Sequence, residues 1–264
     1  MSTSSALTYT SYLRLNELLN LQTPRSQPVE HDETLFIMIH QIYELWFKQI
    51  LHELGFLGDA FDANDASLVL HTLKRILTIL KTLVAQIDVL ETMTPISFSS
   101  FRLRLENASG FQSLQFRLLE FTLGKRDLRV LQNYADSPQA AERLKLLTQS
   151  PSIYDHFLAY LKRQQWPIPD SIIARDYAAA LPESADVREV FISIYRKDPF
   201  CASLCERLVD LDEGLQEWRY RHVKMVERTI GFKTGTGGSA GAEYLRTTLF
   251  RPLFADLWAI RGQL

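Results

Sequence analysis

The sequence predicts an all-α fold, a single helical bundle with long antiparallel helices. Apolar residues recur every three to four positions over long stretches, and no stretch alternates long enough to predict a sheet. The 264 residues are 46% hydrophobic and 23% charged, which is typical of a globular protein with one large core. Because no repeat or linker-like composition divides the chain, we expect residues 1–264 to form one domain.

The N-terminal half is predicted to contain two long helices. Asp32 and Glu33 suit the first turn of a long helix, because carboxylates are favourable at helix N-termini, and this helix is expected to end near Gly55 or Gly58. Ser67 is expected to cap the second long helix. The predicted helices of this half span residues 9–20, 32–58, 67–92, 98–105, 111–123 and 127–134.

The C-terminal half is predicted to contain the longest helix, which begins at Pro199 and which Gly231 ends. A serine–proline pair starts two of the three helices before it, at Ser137 and Ser150, because proline is favoured at the first helical position. The predicted helices of this half span residues 137–149, 150–162, 187–195, 199–230 and 243–262, and residues 166–180 are expected to be irregular.

The charge and cysteine content exclude several functional classes. Lys and Arg (29) nearly balance Asp and Glu (31), so the chain lacks the broad basic surface of a nucleic-acid-binding protein. No run of about 20 apolar residues is present to span a membrane, and residues 1–13 lack the pattern of a signal peptide. Cys201 and Cys205 are the only cysteines, so we expect both to be reduced core residues and the protein to be cytoplasmic. From the charge balance and the apolar runs, we expect neither membrane nor nucleic-acid partners.

Two histidines lie on apolar faces of predicted helices. His222 lies between Trp218 and Met225 on the apolar face of the longest predicted helix, and His40 shares an aromatic face of its helix with Phe36. Taken singly, each is better explained as a core histidine with a buried hydrogen bond. Two inward-facing histidines from different long helices instead favour a cofactor site inside the bundle. A haem fits this pattern best, because one histidine can hold its iron within apolar walls, whereas zinc and di-iron ligand spacings are absent.

A glycine-rich tract and an arginine-containing segment are further candidates. Residues 231–241 contain five glycines and Thr236, which predicts either a polar loop that closes over a small ligand or an ordinary surface loop. The GxGxxG/A spacing in this tract follows a helix instead of a strand, so it does not predict a dinucleotide site. In residues 101–113 aromatic and polar side chains surround Arg102, whose guanidinium suits a carboxylate, although a surface arginine is the commoner explanation.

Three segments together resemble the tryptophan 2,3-dioxygenase family, in the order in which that family carries its signatures. They are residues 31–54 (HDETLFIMIHQIYELWFKQILHEL), 101–120 (FRLRLENASGFQSLQFRLLE) and 218–239 (WRYRHVKMVERTIGFKTGTGGS). The similarity extends from about residue 9 to residue 253, and residues 130–200 are less distinctive.

The resemblance implies a cofactor, a reaction and an assembly. The cofactor would be one haem b per subunit, and both atoms of O2 would be inserted into L-tryptophan to give N-formylkynurenine, the first step of the kynurenine pathway. The helical subunits would form a homotetramer. By motif position, His222 would bind the iron, and His40 would be the distal catalytic residue that hydrogen-bonds to the indole N–H. Arg102 would bind the substrate carboxylate, and Thr236 would contact its ammonium group.

The remaining site residues also follow from motif position. Those expected to line the indole pocket are Phe36, Phe98 and Leu105, and those expected to border the haem are Ser109 and Gly110. In the family the N-terminal segment, here residues 1–21, completes a neighbouring subunit's pocket. The residues expected to bind substrate across subunits are therefore Tyr9, Tyr12 and Leu13.

Three alternatives stay open on the sequence. An indoleamine 2,3-dioxygenase would run the same reaction on a broader set of indoles, but that family lacks the distal histidine and is usually longer. A haem-binding sensor or carrier would need no amino-acid clamp, so Arg102 and Thr236 count against it. A purely structural helical scaffold would bind no haem at all.

Overall fold

The computed structural model describes residues 6–179, 181–231, 233 and 241–264, and these ranges contain helices and loops but no strand. This confirms the predicted all-α fold. The α-helices are α1 (Tyr9–Leu13), α2 (Leu15–Leu18), α3 (His31–Asp62), α4 (Ala66–Leu90), α5 (Pro95–Arg102), α6 (Leu114–Thr122), α7 (Pro138–Thr148), α8 (Ile153–Arg163), α9 (Asp170–Ile173), α10 (Ala185–Lys197), α11 (Pro199–Ile230), α12 (Ala242–Arg246) and α13 (Ala255–Ala259). Short 3-10 turns span Leu103–Leu105, Gly110–Gln112, Leu128–Tyr134 and Arg261–Gln263.

Three long helices form the centre of the fold. Helix α4 packs along α3 on one side and along α11 on the other. Helices α6 and α8 also pack on α3, and α5 contacts both α3 and α11. Fully buried leucines such as Leu57, Leu73 and Leu208 fill the contacts between the three long helices. Burial of this apolar surface is the main favourable term for the fold. Within the described ranges, no helix meets the length and apolarity that a membrane crossing requires.

Helix α3 is longer than predicted, because it continues through both glycines to Asp62. At Gly58 a Cβ atom would lie 3.2 Å from Nε2 of His156 on α8, a closer approach than side chains normally make. Glycine at this position therefore lets α3 and α8 pack closely, and the helix accepts its modest cost in backbone entropy. The predicted end near Gly55 or Gly58 was wrong because this packing requirement cannot be read from local sequence.

Two helix starts also differ from the prediction. Helix α4 is capped by Asp65 instead of Ser67, and an Asp65 side-chain oxygen accepts a hydrogen bond from the backbone N–H of Leu68 at 3.0 Å. Helix α8 begins after Ser152, whose hydroxyl and Asp155 form a reciprocal capping box. This box satisfies two otherwise unpaired N–H groups, so it outweighs the earlier serine–proline signal.

Helix α11 agrees with the prediction at both ends. A side-chain oxygen of Asp198 accepts hydrogen bonds from the N–H groups of Phe200 and Cys201, and Pro199 occupies the first turn. Gly231 ends the helix with φ of 63°, a left-handed conformation that favours glycine. These local signals explain why a helix of 32 residues was predictable in full.

Two other predicted helices are broken. The helix predicted over 9–20 divides at Arg14, which has φ of 52°. The helix predicted over 243–262 divides into α12 and α13, because Pro252 lacks a donor N–H and Phe250 has φ of 56°. Residues 128–134 form a 3-10 turn instead of an α-helix.

The segment between α12 and α13 is attached to α11 by one carboxylate. Asp212 is fully buried, and its Oδ2 accepts hydrogen bonds from Leu253 N at 2.8 Å, Phe254 N at 3.2 Å and Trp258 Nε1 at 2.9 Å. Gln216 donates a further hydrogen bond to Oδ1 at 2.9 Å. These bonds hold the C-terminal residues against the helix that also carries His222.

Candidate haem and substrate site

A cavity lies between helices α3, α5, α6 and α11, with part of α4 behind it. The space free of atoms is about 1540 Å³, a figure that includes solvent outside the open side of the cavity. Its walls are mostly aromatic and aliphatic, and they include Phe36, Tyr43, Phe47, Leu90, Phe98, Phe116, Trp218, Val223 and Met225. A concave apolar space with few polar groups is typical of cofactor and small-molecule sites.

His40 lines this cavity from α3. Its Nδ1 lies 2.7 Å from the carbonyl oxygen of Phe36, one turn earlier, and the two rings are 4.1 Å apart. More than a third of the residue's surface is exposed and faces the cavity, while protein atoms bury the rest of the ring. This burial lowers the pKa of His40, and the Phe36 carbonyl only partly offsets it. His40 is therefore neutral at pH 7, with Nδ1–H donating to Phe36 and Nε2 available as an acceptor.

His222 lines the same cavity from α11. Its ring stacks on that of Trp218, with centroids 5.3 Å apart and an interplanar angle of 4°. Burial, and to a smaller extent the nearby His40 and Arg219, lower the pKa of His222 to about 4. A neutral imidazole keeps a nitrogen lone pair at pH 7, which is the form that binds a metal.

Trp218 joins the aromatic side chains that position His222. The Trp218 ring lies edge-on to the Phe47 ring of α3, with centroids 5.8 Å apart, and packs against the Phe116 ring of α6, with centroids 5.2 Å apart. Tyr43 completes the group, and its hydroxyl donates to the Leu83 carbonyl of α4 at 2.8 Å. Burial raises the pKa of Tyr43 to about 12, so its hydroxyl stays protonated. The apolar face of α11 therefore packs in the core, and the same packing holds His222 at the cavity wall.

Helix α5 brings Phe98 and Arg102 to the cavity. The ring of Phe98 lies 5.7 Å from that of Phe36, so the two phenylalanines form one apolar wall. Ser109 and Gly110 line the cavity from the loop after α5, where the Ser109 side chain caps the turn Gly110–Gln112.

The other residues predicted from motif position lie elsewhere. Leu105 packs against the apolar core and is not among the cavity-lining side chains. Tyr9, Tyr12 and Leu13 are exposed on α1, outside the cavity of their own subunit. Thr236 lies outside the described residues.

The cavity wall also contains a buried group of charged residues that was not predicted from the sequence. Glu120 of α6 accepts hydrogen bonds from Arg117, on the same helix, and from Arg219 of α11 at 2.6 Å. The Lys125 amino group lies 3.2 Å from the same carboxylate. Although burial opposes ionisation, the charges of Arg219, Arg117 and Lys125 lower the pKa of Glu120 to about 2. The available signal was a charged pair, three positions apart, inside the apolar helix Leu114–Thr122.

The donor set suits a haem better than a bare metal ion. Among the described residues, no three His, Cys, Asp or Glu side chains lie close enough together to hold an ion. A porphyrin brings its own equatorial nitrogens, so one neutral imidazole is sufficient as a protein ligand. His222 offers that imidazole on a wall with Val223 and Met225, in a cavity that opens to solvent.

Comparison with known proteins agrees with this arrangement. The family model described as tryptophan 2,3-dioxygenase matches residues 1–164 and 180–264. A tryptophan 2,3-dioxygenase of Herpetosiphon aurantiacus is 59% identical over 99% of this chain and 100% of its own length. Proteins of the same name from Anaeromyxobacter sp. and Caulobacter vibrioides are 57% and 42% identical, over 99% and 98% of this chain and 97% and 98% of their own lengths. The chain belongs to the tryptophan 2,3-dioxygenase family.

Proposed function

We propose that this protein inserts both atoms of O2 across the indole C2–C3 bond of L-tryptophan, giving N-formyl-L-kynurenine, the first step of tryptophan degradation. The cofactor is haem b, one per subunit. The observation that carries the proposal is the pair of neutral histidines, His40 and His222, on two walls of one apolar cavity. The full-length match to tryptophan 2,3-dioxygenases supports the same reaction.

His222 is the residue that holds the haem iron in this proposal. Its neutral imidazole and its stacking on Trp218 support the assignment, because a ligand must be deprotonated and held in one orientation. Ser109 and Gly110 line the cavity and would border the macrocycle. When bound, the haem supplies the iron centre at which O2 is activated.

Arg102 binds the substrate carboxylate and Thr236 the ammonium group. A zwitterion that leaves water needs partners for both charges, and the planar guanidinium of Arg102 matches a carboxylate with two parallel hydrogen bonds. Phe36 and Phe98 form the wall for the indole, and Leu105 packs against the apolar core. These contacts fix the C2–C3 bond in one place and exclude bulk water from it.

His40 orients the indole through its N–H. Because Nδ1 donates to the Phe36 carbonyl, the neutral ring presents Nε2 as a hydrogen-bond acceptor. The indole N–H is the only donor on the ring system of tryptophan, so this bond selects one orientation of the substrate. His40 thus touches the substrate while its own proton stays on Nδ1.

The assembly and location belong to the same proposal. The subunits form a homotetramer, which is typical of the family, in the cytoplasm. Tyr9, Tyr12 and Leu13 are exposed on α1, which supports a role in a neighbouring subunit's pocket.

The test is an aerobic assay of the haem-loaded, reduced protein with L-tryptophan. We expect a Soret band from bound haem and the absorption of N-formylkynurenine to rise with time. Haem binding without product would favour a sensor or carrier. Turnover of D-tryptophan or tryptamine as fast as L-tryptophan would instead favour the broader indoleamine dioxygenase activity.

A further inference from the structure

The charged group at the cavity wall carries more positive than negative charge. Arg117 and Arg219 are each 8% exposed, Glu120 is 4% exposed, and both arginines line the cavity. Glu120 binds both guanidinium groups and Lys125, so the four side chains carry a net charge of +2. Glu44 is the other carboxylate at the cavity wall, and it forms no ion pair within the described part of the chain.

Buried surplus charge of this kind is unfavourable unless an anion balances it. Moving an ion out of water is unfavourable, and a single carboxylate shared by three cations offsets only part of that loss of solvation. Lys125 follows the end of α6 and its side chain is 27% exposed, so solvent partly screens its charge. The two arginines have no such access, and the open cavity is the place from which a counter-charge can reach them.

Arg117 also has unused hydrogen-bonding capacity. Its Nε is buried and has no hydrogen-bond partner among the described residues, although it is a donor. The guanidinium lies over the rings of Phe111 and Phe116, at 6.0 and 5.6 Å from their centroids, which holds its plane in place. Arg219 lies over Phe116 from the other helix at 5.3 Å. An unpaired buried donor is unfavourable, so an acceptor is expected here.

We propose that Arg117 and Arg219 bind the two propionate groups of the haem, and that Glu120 holds the two guanidinium groups in position for them. The inference rests on the proposed haem-dependent function. The haem carries two carboxylates at one edge, one for each buried guanidinium group, whereas the substrate is a zwitterion with no net charge. The propionates therefore set the orientation in which the macrocycle enters the cavity.

The experiment compares haem with its dimethyl ester, which keeps the iron and the ring and removes both negative charges. Each is titrated into the haem-free full-length chain, and binding is followed by the Soret band. The wild type should bind haem roughly 10- to 100-fold more tightly than the ester, the range expected for charge-assisted hydrogen bonds. Arg117→Met and Arg219→Met should each weaken haem binding by about tenfold or more and leave ester binding unchanged.

Two further variants separate this effect from folding and from overall charge. Arg117→Lys keeps the charge and should recover most of the preference for haem over the ester. Arg207→Met removes one charge from the exposed side of α11, where Arg207 pairs with Asp210 at 2.9 Å, and should change neither affinity.

The outcomes are distinct from those that test the proposed function. Equal affinity of the wild type for haem and ester would overturn the propionate assignment while leaving haem binding intact. The propionate assignment would also be overturned if Arg117→Met or Arg219→Met lost affinity for tryptophan but kept the preference for haem over the ester. The arginines would then bind the substrate. A wild-type chain that binds neither compound would overturn the haem-dependent function and this inference together.

Discussion

Glu120→Gln is the substitution whose effect on stability follows most directly from the structure. Glutamine keeps the size and one hydrogen-bond acceptor but removes the charge that Arg117, Arg219 and Lys125 share. The pKa of Glu120 is lowered from 4.5 to about 2. Because each pKa unit corresponds to about 1.4 kcal/mol, the ionised carboxylate stabilises the folded chain by about 3 kcal/mol at pH 7. Loss of one partner from a buried ion pair gives a similar figure, about 3–5 kcal/mol.

The pH dependence gives this prediction a second readout. A carboxylate with a lowered folded-state pKa stabilises the protein fully above its unfolded pKa of 4.5, and the stabilisation is lost as pH falls from there towards 2. Urea unfolding of the haem-free chain should therefore show a large difference between wild type and Glu120→Gln at pH 7 that shrinks below about pH 5. Glu17→Gln, in an exposed pair with Arg14, is the control and should have little effect. A difference below about 1 kcal/mol at pH 7, or one that does not change with pH, would refute the reasoning.

Three further substitutions test the site and its support. Arg102→Ala should raise the KM for L-tryptophan at least about tenfold, since a lost charged partner costs about 2–5 kcal/mol, while Arg104→Ala should not; equal KM values would remove Arg102 from the site. His222→Ala should abolish the Soret band after haem addition, and an unchanged spectrum would exclude it as the ligand. Asp212→Ala leaves three donors of the C-terminal segment unpaired and should lower the free energy of unfolding by about 3–5 kcal/mol. Asp210→Ala, on the exposed side of α11, should have little effect, and equal losses would contradict the role of Asp212.

The fold was predictable where local sequence signals decide it. Helix α11 has a capping Asp198, a proline in its first turn and Gly231 at its end, and it matches the prediction at both ends. The end of α3 was not predictable, because Gly58 serves a contact with His156 about a hundred positions further along the chain. The break in the last predicted helix has a local signal in Pro252, but the hydrogen bond from Leu253 N to the carboxylate of Asp212 joins residues 41 positions apart and could not be read from local sequence.

The part of the site that was predictable from the sequence is the part that spacing within one helix decides. The helical spacing of His40 and His222 indicates inward-facing side chains, and the structure brings both to one cavity. The role of Arg102 came from the resemblance and not from its own spacing. The ion group of Arg117, Glu120 and Arg219 joins α6 to α11, so no pattern within one helix could reveal that these charges meet.

This protein adds both atoms of one O2 molecule to L-tryptophan. The most direct measurement is turnover of the haem-loaded protein under 18O2, with the product analysed promptly by mass spectrometry. Incorporation of both labelled oxygens into N-formylkynurenine, one at each carbon of the cleaved bond, is the predicted result. Product with a single labelled oxygen, or haem-bound protein that forms no product, would contradict the account.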